Sequence, residues 1–295
     1  MKKIIFLVMA IVAVFAISGC TKEQPAAFAG GTDGLVTSFM NLPTSVFTSS
    51  VFDINILLQN KGEADVSIGK AVLTLNNAQT LGITNAIKTN TKLLTRVRKI
   101  NNTAIPGETE SMAWQNASFK GAIITEQQTP PFSIDACYPY ESTAIATACA
   151  GKTNLVCNPV EEKTVQSSGA PIQITKFSQI AVPKASGVEL GFTIDAENKG
   201  KGNVYDSAAI CSDLKPEQID TVLVKTITFN GAQINPLTAC PLDGGRPIIV
   251  LADKKGSITC NFDVAVTQDF SAELVVKLDY IYKDSLNGAI TVIPV

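Results

Sequence analysis

The residues that could carry out chemistry are carboxylates and cysteines, because none of the 295 residues is a histidine. Without histidine a Ser-His or Cys-His nucleophile pair cannot form, and the commonest general base is missing. The sequence also contains no Gly-x-Ser-x-Gly elbow, P-loop or dinucleotide-binding motif. A glycosidase needs only two facing carboxylates, but here Asp and Glu are scattered over predicted turns and strand faces. We therefore expect a protein that is not an enzyme and that holds no cofactor or metal.

The N-terminus has the layout of an export signal. Lys2 and Lys3 precede an apolar run over residues 4–17, and a Ser-Gly-Cys sequence ends at Cys20. The run is shorter than the roughly 20 residues that a membrane-spanning helix needs. The residues that end at Cys20 resemble the lipobox of prokaryotic lipoproteins, which implies cleavage before Cys20 and attachment of lipid to its sulfur. An uncleaved anchor and an ordinary signal peptide are the alternatives.

The expected mature protein is therefore membrane-anchored and faces away from the cytoplasm. Residues 1–19 are predicted to be the signal peptide, and residues 20–34, rich in Ala and Gly, a flexible tether behind the lipidated cysteine. Without residues 1–19 the chain keeps 22 basic and 26 acidic residues, a formal charge of −4. Nucleic acid is excluded as a partner because phosphate binding needs clustered positive charge.

Disulfides are the expected fate of the remaining cysteines. An even number of cysteines in an exported chain predicts up to three disulfides. Zinc is a poor alternative, since there is neither a Cys-x-x-Cys pair nor a histidine. Cys240 and Cys260 lie in one predicted domain, where they could tie two strands together. The six candidates are Cys137, Cys149, Cys157, Cys211, Cys240 and Cys260.

The pairing of the other four cysteines stays open at this stage. Cys137 and Cys149 flank a predicted hairpin and could face each other across it, while Cys149 and Cys157 could close a small loop. Each predicted domain holds three cysteines, so full pairing needs one bridge between domains. Cys157 to Cys211 is our candidate for that bridge.

The chain contains two copies of one pattern. Residues 52–62 and 190–200 both alternate apolar and polar side chains and end in Asn-Lys-Gly, which predicts a half-buried strand followed by a turn. Residues 132–140 and 274–282 match in the same way, and each segment is followed by a short polar turn and another β-rich run. We interpret these segments as the last hairpin of each domain.

Several exposed or aromatic features invite a binding role. Tyr138, Tyr140, Tyr280 and Tyr282 alternate along their strands and could form a platform, but a structural role like that of a tyrosine corner is favoured. Residues 92–99 form a basic strand that could contact anionic lipid or glycan, although like charges also protect an exposed strand edge, the reading we prefer. Two sequons make Asn101 and Asn116 glycosylation candidates.

The repeated strand and Asn-Lys-Gly turn resemble CARDB-like and related Ig-like modules of prokaryotic, especially archaeal, surface lipoproteins. The pattern predicts an all-β chain with two tandem immunoglobulin-like β-sandwich domains, residues 35–150 and 171–295, joined by a linker over residues 151–170. The resemblance implies adhesion, binding of a surface protein or glycan, or envelope structure. A subunit that assembles by exchanging its terminal strand, residues 290–295, is the alternative, and a carbohydrate-active enzyme ranks last.

Overall fold

The computed structural model describes residues 27–121, 124–151 and 160–295. Nearly all of the regular secondary structure in these residues is β-strand, as the alternation of apolar and polar side chains predicts. The only helical segments among them are a 3-10 turn at Pro216–Gln218 and α1 at Pro236–Ala239. The strands are β1 (Leu35–Met40), β2 (Ser45–Phe47), β3 (Val51–Asn60), β4 (Val72–Asn76), β5 (Ile87–Thr89), β6 (Arg98–Ile100), β7 (Thr103–Ile105), β8 (Thr109–Ser118), β9 (Pro131–Ala150), β10 (Val160–Lys163), β11 (Val165–Ser167), β12 (Ile172–Lys184), β13 (Gly187–Asn198), β14 (Asn203–Asp206), β15 (Thr221–Phe229), β16 (Ala232–Ile234), β17 (Ile248–Val250), β18 (Lys255–Val264), β19 (Phe270–Ala289) and β20 (Thr291–Ile293).

Two long strands form the spine of the molecule. β9 and β19 have 20 residues each and pair antiparallel over their whole length, from Pro131 opposite Ala289 to Ala150 opposite Phe270. At 3.2–3.4 Å per residue this ladder is about 65 Å long. A continuous ladder of this length makes the chain one body rather than two modules on a flexible hinge.

Two smaller sheets pack side by side on the spine. The central sheet has the order β16-β15-β19-β9-β4-β5, with β11, β14 and β17 on its edges. The sheet β1-β3-β8 packs on one end, where the rings of Phe39 and Phe132 lie 5.7 Å apart. The sheet β10-β12-β13-β18 packs on the other end, where the rings of Phe229 and Phe262 are also 5.7 Å apart. Each end is therefore a β-sandwich lobe, and the two lobes share one sheet.

A pseudo-two-fold relation connects the two copies of the sequence pattern. β9 and β19 place Tyr138 opposite Tyr282 and Tyr140 opposite Tyr280, with Pro139 opposite Ile281 between these pairs. In the repeat, Tyr138 corresponds to Tyr280 and Tyr140 to Tyr282. Exchanging the copies therefore reproduces the same pairs, which puts the pseudo-axis at the pair of Pro139 and Ile281. We call this middle region of the spine the waist.

The predicted last hairpins are wrong. Neither β9 nor β19 folds back after its tyrosines; each continues straight into the lobe of the other copy. Residues 144–150 of the first copy thereby pair with residues 270–276 in the second lobe. The two copies have exchanged the strands that would have closed their own hairpins.

The chain end returns to the first lobe. β20 pairs in parallel with β2, and Val292 also forms a bridge with Gln128. The strand that we considered for exchange between subunits is thus paired within its own chain. The predicted linker also contributes structure, since β10 and β11 lie within residues 151–170 and pair with β12 and β9.

Candidate functional site

The four tyrosines of the waist are core residues and do not form a binding platform. Tyr138, Tyr140, Tyr280 and Tyr282 are at most 3% exposed, and their ring centroids lie 5.6–6.5 Å from their neighbours. Burial raises the pKa of all four hydroxyls, so they stay neutral and act as hydrogen-bonding groups. The structural role that we preferred from the sequence is confirmed.

Each tyrosine hydroxyl ties the spine to a segment of the packed sheets. Tyr138 Oη accepts from the Leu35 backbone N–H at 2.9 Å, and Tyr280 Oη accepts from the Ile172 N–H at 3.4 Å. Tyr280 Oη also lies 2.9 Å from the Ser142 hydroxyl. Among the described residues, every buried side-chain N or O atom has a hydrogen-bond partner, and the tyrosine hydroxyls are no exception.

The Asn-Lys-Gly turns explain why the motif repeats. Asn60 Oδ1 accepts from the Gly62 N–H at 3.1 Å and its Nδ2 donates to the Ala64 carbonyl at 2.8 Å. Asn198 makes the same two bonds, to the N–H of Gly200 and the carbonyl of Gly202. The asparagine thus closes the turn with its side chain.

The glycine of each turn lets a tyrosine approach. A Cβ on Gly62 would overlap the Tyr140 hydroxyl, and a Cβ on Gly200 would overlap that of Tyr282. The Tyr140 hydroxyl donates to Asn60 Oδ1 at 3.1 Å. The motif is therefore a structural latch between turn and spine.

The opposite face of the spine carries a charged cleft of about 390 Å³ at the waist. Glu141 accepts from Lys277 at 2.8 Å and from Lys225 at 3.2 Å, and Lys225 Nζ lies 3.5 Å from Asp279. Burial works to raise the pKa of Glu141, but the hydrogen bonds from the two lysines outweigh it and lower the pKa. Burial raises the pKa of Asp279, although Lys225 opposes this.

A facing pair of carboxylates therefore exists, since Glu141 and Asp279 lie directly opposite each other across the spine. A glycosidase needs one such group protonated and aimed at a glycosidic oxygen, with the sugar seated between them. Here both groups share Lys225, and the tyrosines that could stack on a sugar are buried on the other face. The arrangement is that of a charge-neutralising ion-pair network.

Sequence reasoning did not find this network. Glu141 and Asp279 each adjoin a tyrosine of the repeat, but only the register of β9 with β19 brings them together. The detectable signal was the unbroken alternation of β9, in which the even-numbered side chains from 132 to 150 are all buried.

A second cleft of about 310 Å³ lies where the described chain begins. Its lining includes Phe28, the carboxylate of Glu63 and three cationic side chains, those of Arg96, Arg98 and Lys99. Of the basic segment over residues 92–99, only its end belongs to a strand, β6, which pairs with β7 to form an exposed hairpin. Three cations against one carboxylate give this basic cleft an excess of positive charge.

The disulfides correct our expected bridge between domains. Cys137 pairs with Cys211 at an S–S distance of 2.03 Å, so the candidate bridge from Cys157 to Cys211 is wrong. Cys137 and Cys149 lie on the same strand, β9, and do not face each other across a hairpin. Cys149 is also disulfide-bonded. Cys157 lies outside the described residues.

A second disulfide joins Cys240 to Cys260, as the sequence allowed. It ties the end of α1 to β18. The Cys137–Cys211 bridge instead joins the spine to the loop behind β14, which belongs to the second copy.

Removing the Cys137–Cys211 bridge should destabilise the protein more than removing the Cys240–Cys260 bridge. The bridges span 74 and 20 residues, and loop-closure entropy predicts losses of about 4 and about 3 kcal/mol. We expect this order for the double Cys→Ala variants in chemical denaturation. A Cys137→Ala/Cys211→Ala protein as stable as the unmodified chain would contradict the prediction.

The remaining sequence candidates are surface positions or lie outside the description. Asn101 is at the tip of the β6–β7 hairpin with φ 49°, and Asn116 is on β8 with φ 59°; both are exposed. Their glycosylation stays a prediction. Cys20 lies outside the described residues.

No metal centre or spanning helix is found in the described part of the chain. Residues 27–121, 124–151 and 160–295 hold no group of three or more Asp, Glu or Cys side chains that could bind a metal ion. Within the same ranges, no helix is long and apolar enough to cross a membrane.

Comparisons with known proteins do not identify the chain. No family model matches it, and no curated protein matches it. A weak structural match is Escherichia coli alpha-2-macroglobulin activated by porcine elastase, at 9% identity and a TM-score of 0.11. That match covers 88% of this chain and 32% of the other, so this chain spans about a third of that protein. At this TM-score the likeness supports no conclusion about fold or function.

Proposed function

We propose that this chain is a lipid-anchored protein of the cell envelope that acts without catalysis, as a rigid β-body that carries a binding surface. One observation carries the proposal: the 20-residue ladder between β9 and β19 holds both lobes in one fixed arrangement. A body of this kind suits adhesion or envelope structure, in which the distance and orientation between surfaces matter. Its partners are the membrane, through the lipid, and a surface protein or glycan.

The resemblance to Ig-like and CARDB-like modules supports the same proposal. Each lobe packs two sheets, and the second lobe encloses a core of phenylalanines that includes Phe177, Phe192 and Phe262. The exchange of long strands between the copies is a departure from a simple tandem of such domains. In our proposal the two Ig-like units are therefore fused through a shared sheet, and are not separate domains joined by a linker.

Terminal strand exchange between chains remains the alternative function. The exchange of long strands between the copies within the chain supports this alternative, whereas the pairing of β20 with β2 of the same chain counts against it. An assembling subunit would show a mass that rises with concentration in light scattering. A constant monomer mass would exclude this alternative.

The anchor is tested by the intact mass of the membrane-extracted protein. We expect a chain that lacks residues 1–19 and carries acyl mass, and we expect Cys20→Ser to abolish the acyl mass and the retention in the membrane. Thr21→Ser is the matched control, because it changes the neighbouring residue and keeps the thiol. A full-length chain without lipid in the unmodified protein would overturn the proposal.

A further inference from the structure

The start of the described chain is held at the waist rather than at an end of the molecule. The Ala27 N–H donates to Gln166 Oε1 at 2.6 Å, which belongs to β11 in the second lobe. The N–H groups of Ala29 and Gly30 donate to Glu63 at 2.8 and 3.1 Å, and Gly169 donates to the same carboxylate at 2.6 Å. Residues 27–30, which we call the N-terminal segment, are thus bound to both lobes.

This attachment sets the distance of the waist from the anchor. Cys20 and Ala27 are seven residue steps apart along the chain, and even a fully extended chain of that length reaches only about 25 Å. The spine is about 65 Å long, so an anchored molecule is held by its middle, with a lobe on either side. The surface around Ala27 is then the surface nearest to the bilayer.

The basic hairpin formed by β6 and β7 lies on this surface. Lys99 Nζ donates to the Phe28 carbonyl at 3.4 Å, which places the hairpin beside the N-terminal segment. Arg98 is directly opposite Ile105 in the hairpin, and Ile100 is two residues further along the same face. Ile100 is 50% exposed and Ile105 is 37% exposed. This face combines cations and bare apolar side chains, the composition of a membrane-interface segment.

The guanidinium groups of Arg96 and Arg98 are not paired with the described carboxylates around them. Arg96 and Arg98 form no ion pair with any described residue. Of the neighbouring carboxylates, Glu63 is occupied by three backbone N–H groups, and Asp65 Oδ1 accepts from the Arg96 backbone N–H at 2.7 Å. The two guanidinium groups are therefore open to an external anion.

We propose that this surface is a second membrane contact, in which the basic cleft takes the phosphate of an anionic phospholipid and Ile100 and Ile105 enter the interface. The inference rests on the lipid anchor of the proposed function. Each cation near an anionic bilayer surface strengthens attachment about fivefold. The result is a molecule that lies across the membrane surface instead of standing on it.

A tryptophan at the hairpin tests the contact. Trp114 is the only tryptophan in the sequence and is 2% exposed. Ile100→Trp therefore adds an exposed fluorophore, while the emission of Trp114 comes from a buried site. The matched control is Ile210→Trp, because Ile210 is 65% exposed, adjoins Cys211 and does not line the basic cleft. The lipidated mature protein, which begins at Cys20, is reconstituted into vesicles whose acyl chains are brominated.

We expect the Ile100→Trp emission to shift to the blue and to lose at least half its intensity in vesicles that contain phosphatidylglycerol. The effect should weaken in pure phosphatidylcholine and on adding Arg96→Glu and Arg98→Glu, while Ile210→Trp stays unquenched. Flotation with the vesicles but no quenching would overturn the hairpin contact alone. Failure to float would overturn the anchor as well. Sugar on Asn101 in the native intact mass would also overturn the contact, since a glycan at the tip holds the hairpin off the bilayer.

Discussion

Neither half of the chain should fold as a monomer when it is produced alone. Residues 27–151 would retain β9 without β19, and residues 160–295 would retain β19 without β9. Each half would expose a 20-residue strand edge, which is a template for pairing with other chains. We expect aggregated or pairwise-associated material from each half in size-exclusion chromatography with light scattering.

The physical reason lies in the exchanged strand ends. Ala144, Ala148 and Ala150 come from the first copy but are at most 3% exposed, because they complete the core of the second lobe. In the isolated first half these residues have no lobe to enter, and the second lobe lacks the strand that they form. The apolar surface left bare removes much of the stabilisation that would offset chain entropy.

Co-production of the two halves is the matched control. Together they contain every described pairing between β9 and β19, so we expect a stable complex with one copy of each half. A monodisperse monomer from either half, with a cooperative unfolding transition, would refute the shared-core architecture. It would also support the independent domains at residues 35–150 and 171–295 that the sequence suggested.

Gly62→Ala should cause the largest loss of stability of any single methyl addition at the waist. A Cβ at this position would overlap the Tyr140 hydroxyl and lie 2.5 Å from the Asp33 carbonyl oxygen and 2.7 Å from that of Gly169. Two of these three neighbours are backbone atoms from segments that cannot move independently. We expect a loss of about 3 kcal/mol in the free energy of unfolding, the upper range for overpacking.

Gly200→Ala should cost less than Gly62→Ala. Its Cβ would overlap the Tyr282 hydroxyl and lie 3.0 Å from the Pro171 side chain, and both are side-chain contacts. Gly121→Ala is the control, because a Cβ there meets nothing within 4 Å. Equal midpoints for Gly62→Ala and Gly121→Ala in urea denaturation would show that the turns do not latch onto the tyrosines.

The sequence predicts the strands of the spine but not their length, since the predicted turn after Tyr140 is part of β9. Residues after Tyr140 were interpreted as a hairpin because Glu141, Ser142 and Thr143 are polar. Polar residues without glycine or asparagine are weak turn formers. Ser142 occupies an even-numbered position like the other inward-facing residues of β9, and its side chain is fully buried. In β19, Asn287-Gly288 is a strong hairpin signal, yet it lies within the strand, because pairing with Ser133 and Phe132 holds it extended.

The charged and basic clefts could not be predicted in the same way. Glu141 and Asp279 are 138 positions apart, which is also the spacing of the two turn residues Asn60 and Asn198. This spacing reveals the repeat, but it does not reveal which strands become neighbours in the sheet. The basic segment was recognised as a charge run, whereas its position beside Phe28 depends on how the N-terminal segment crosses the waist. Contacts between distant segments depend on topology and register.

The sequence by itself determined the all-β character, the two copies and the Asn-Lys-Gly turns, because these follow from side-chain alternation and from local backbone preferences. Only the tertiary structure decided that the long strands cross between copies, that Cys137 bonds Cys211, and that residues 27–30 lie at the waist. The local sequence of a strand end is equally compatible with pairing in its own copy and with pairing in the other copy. The choice is made by the total burial of the tyrosines and alanines along the spine, which is a property of the whole packed body.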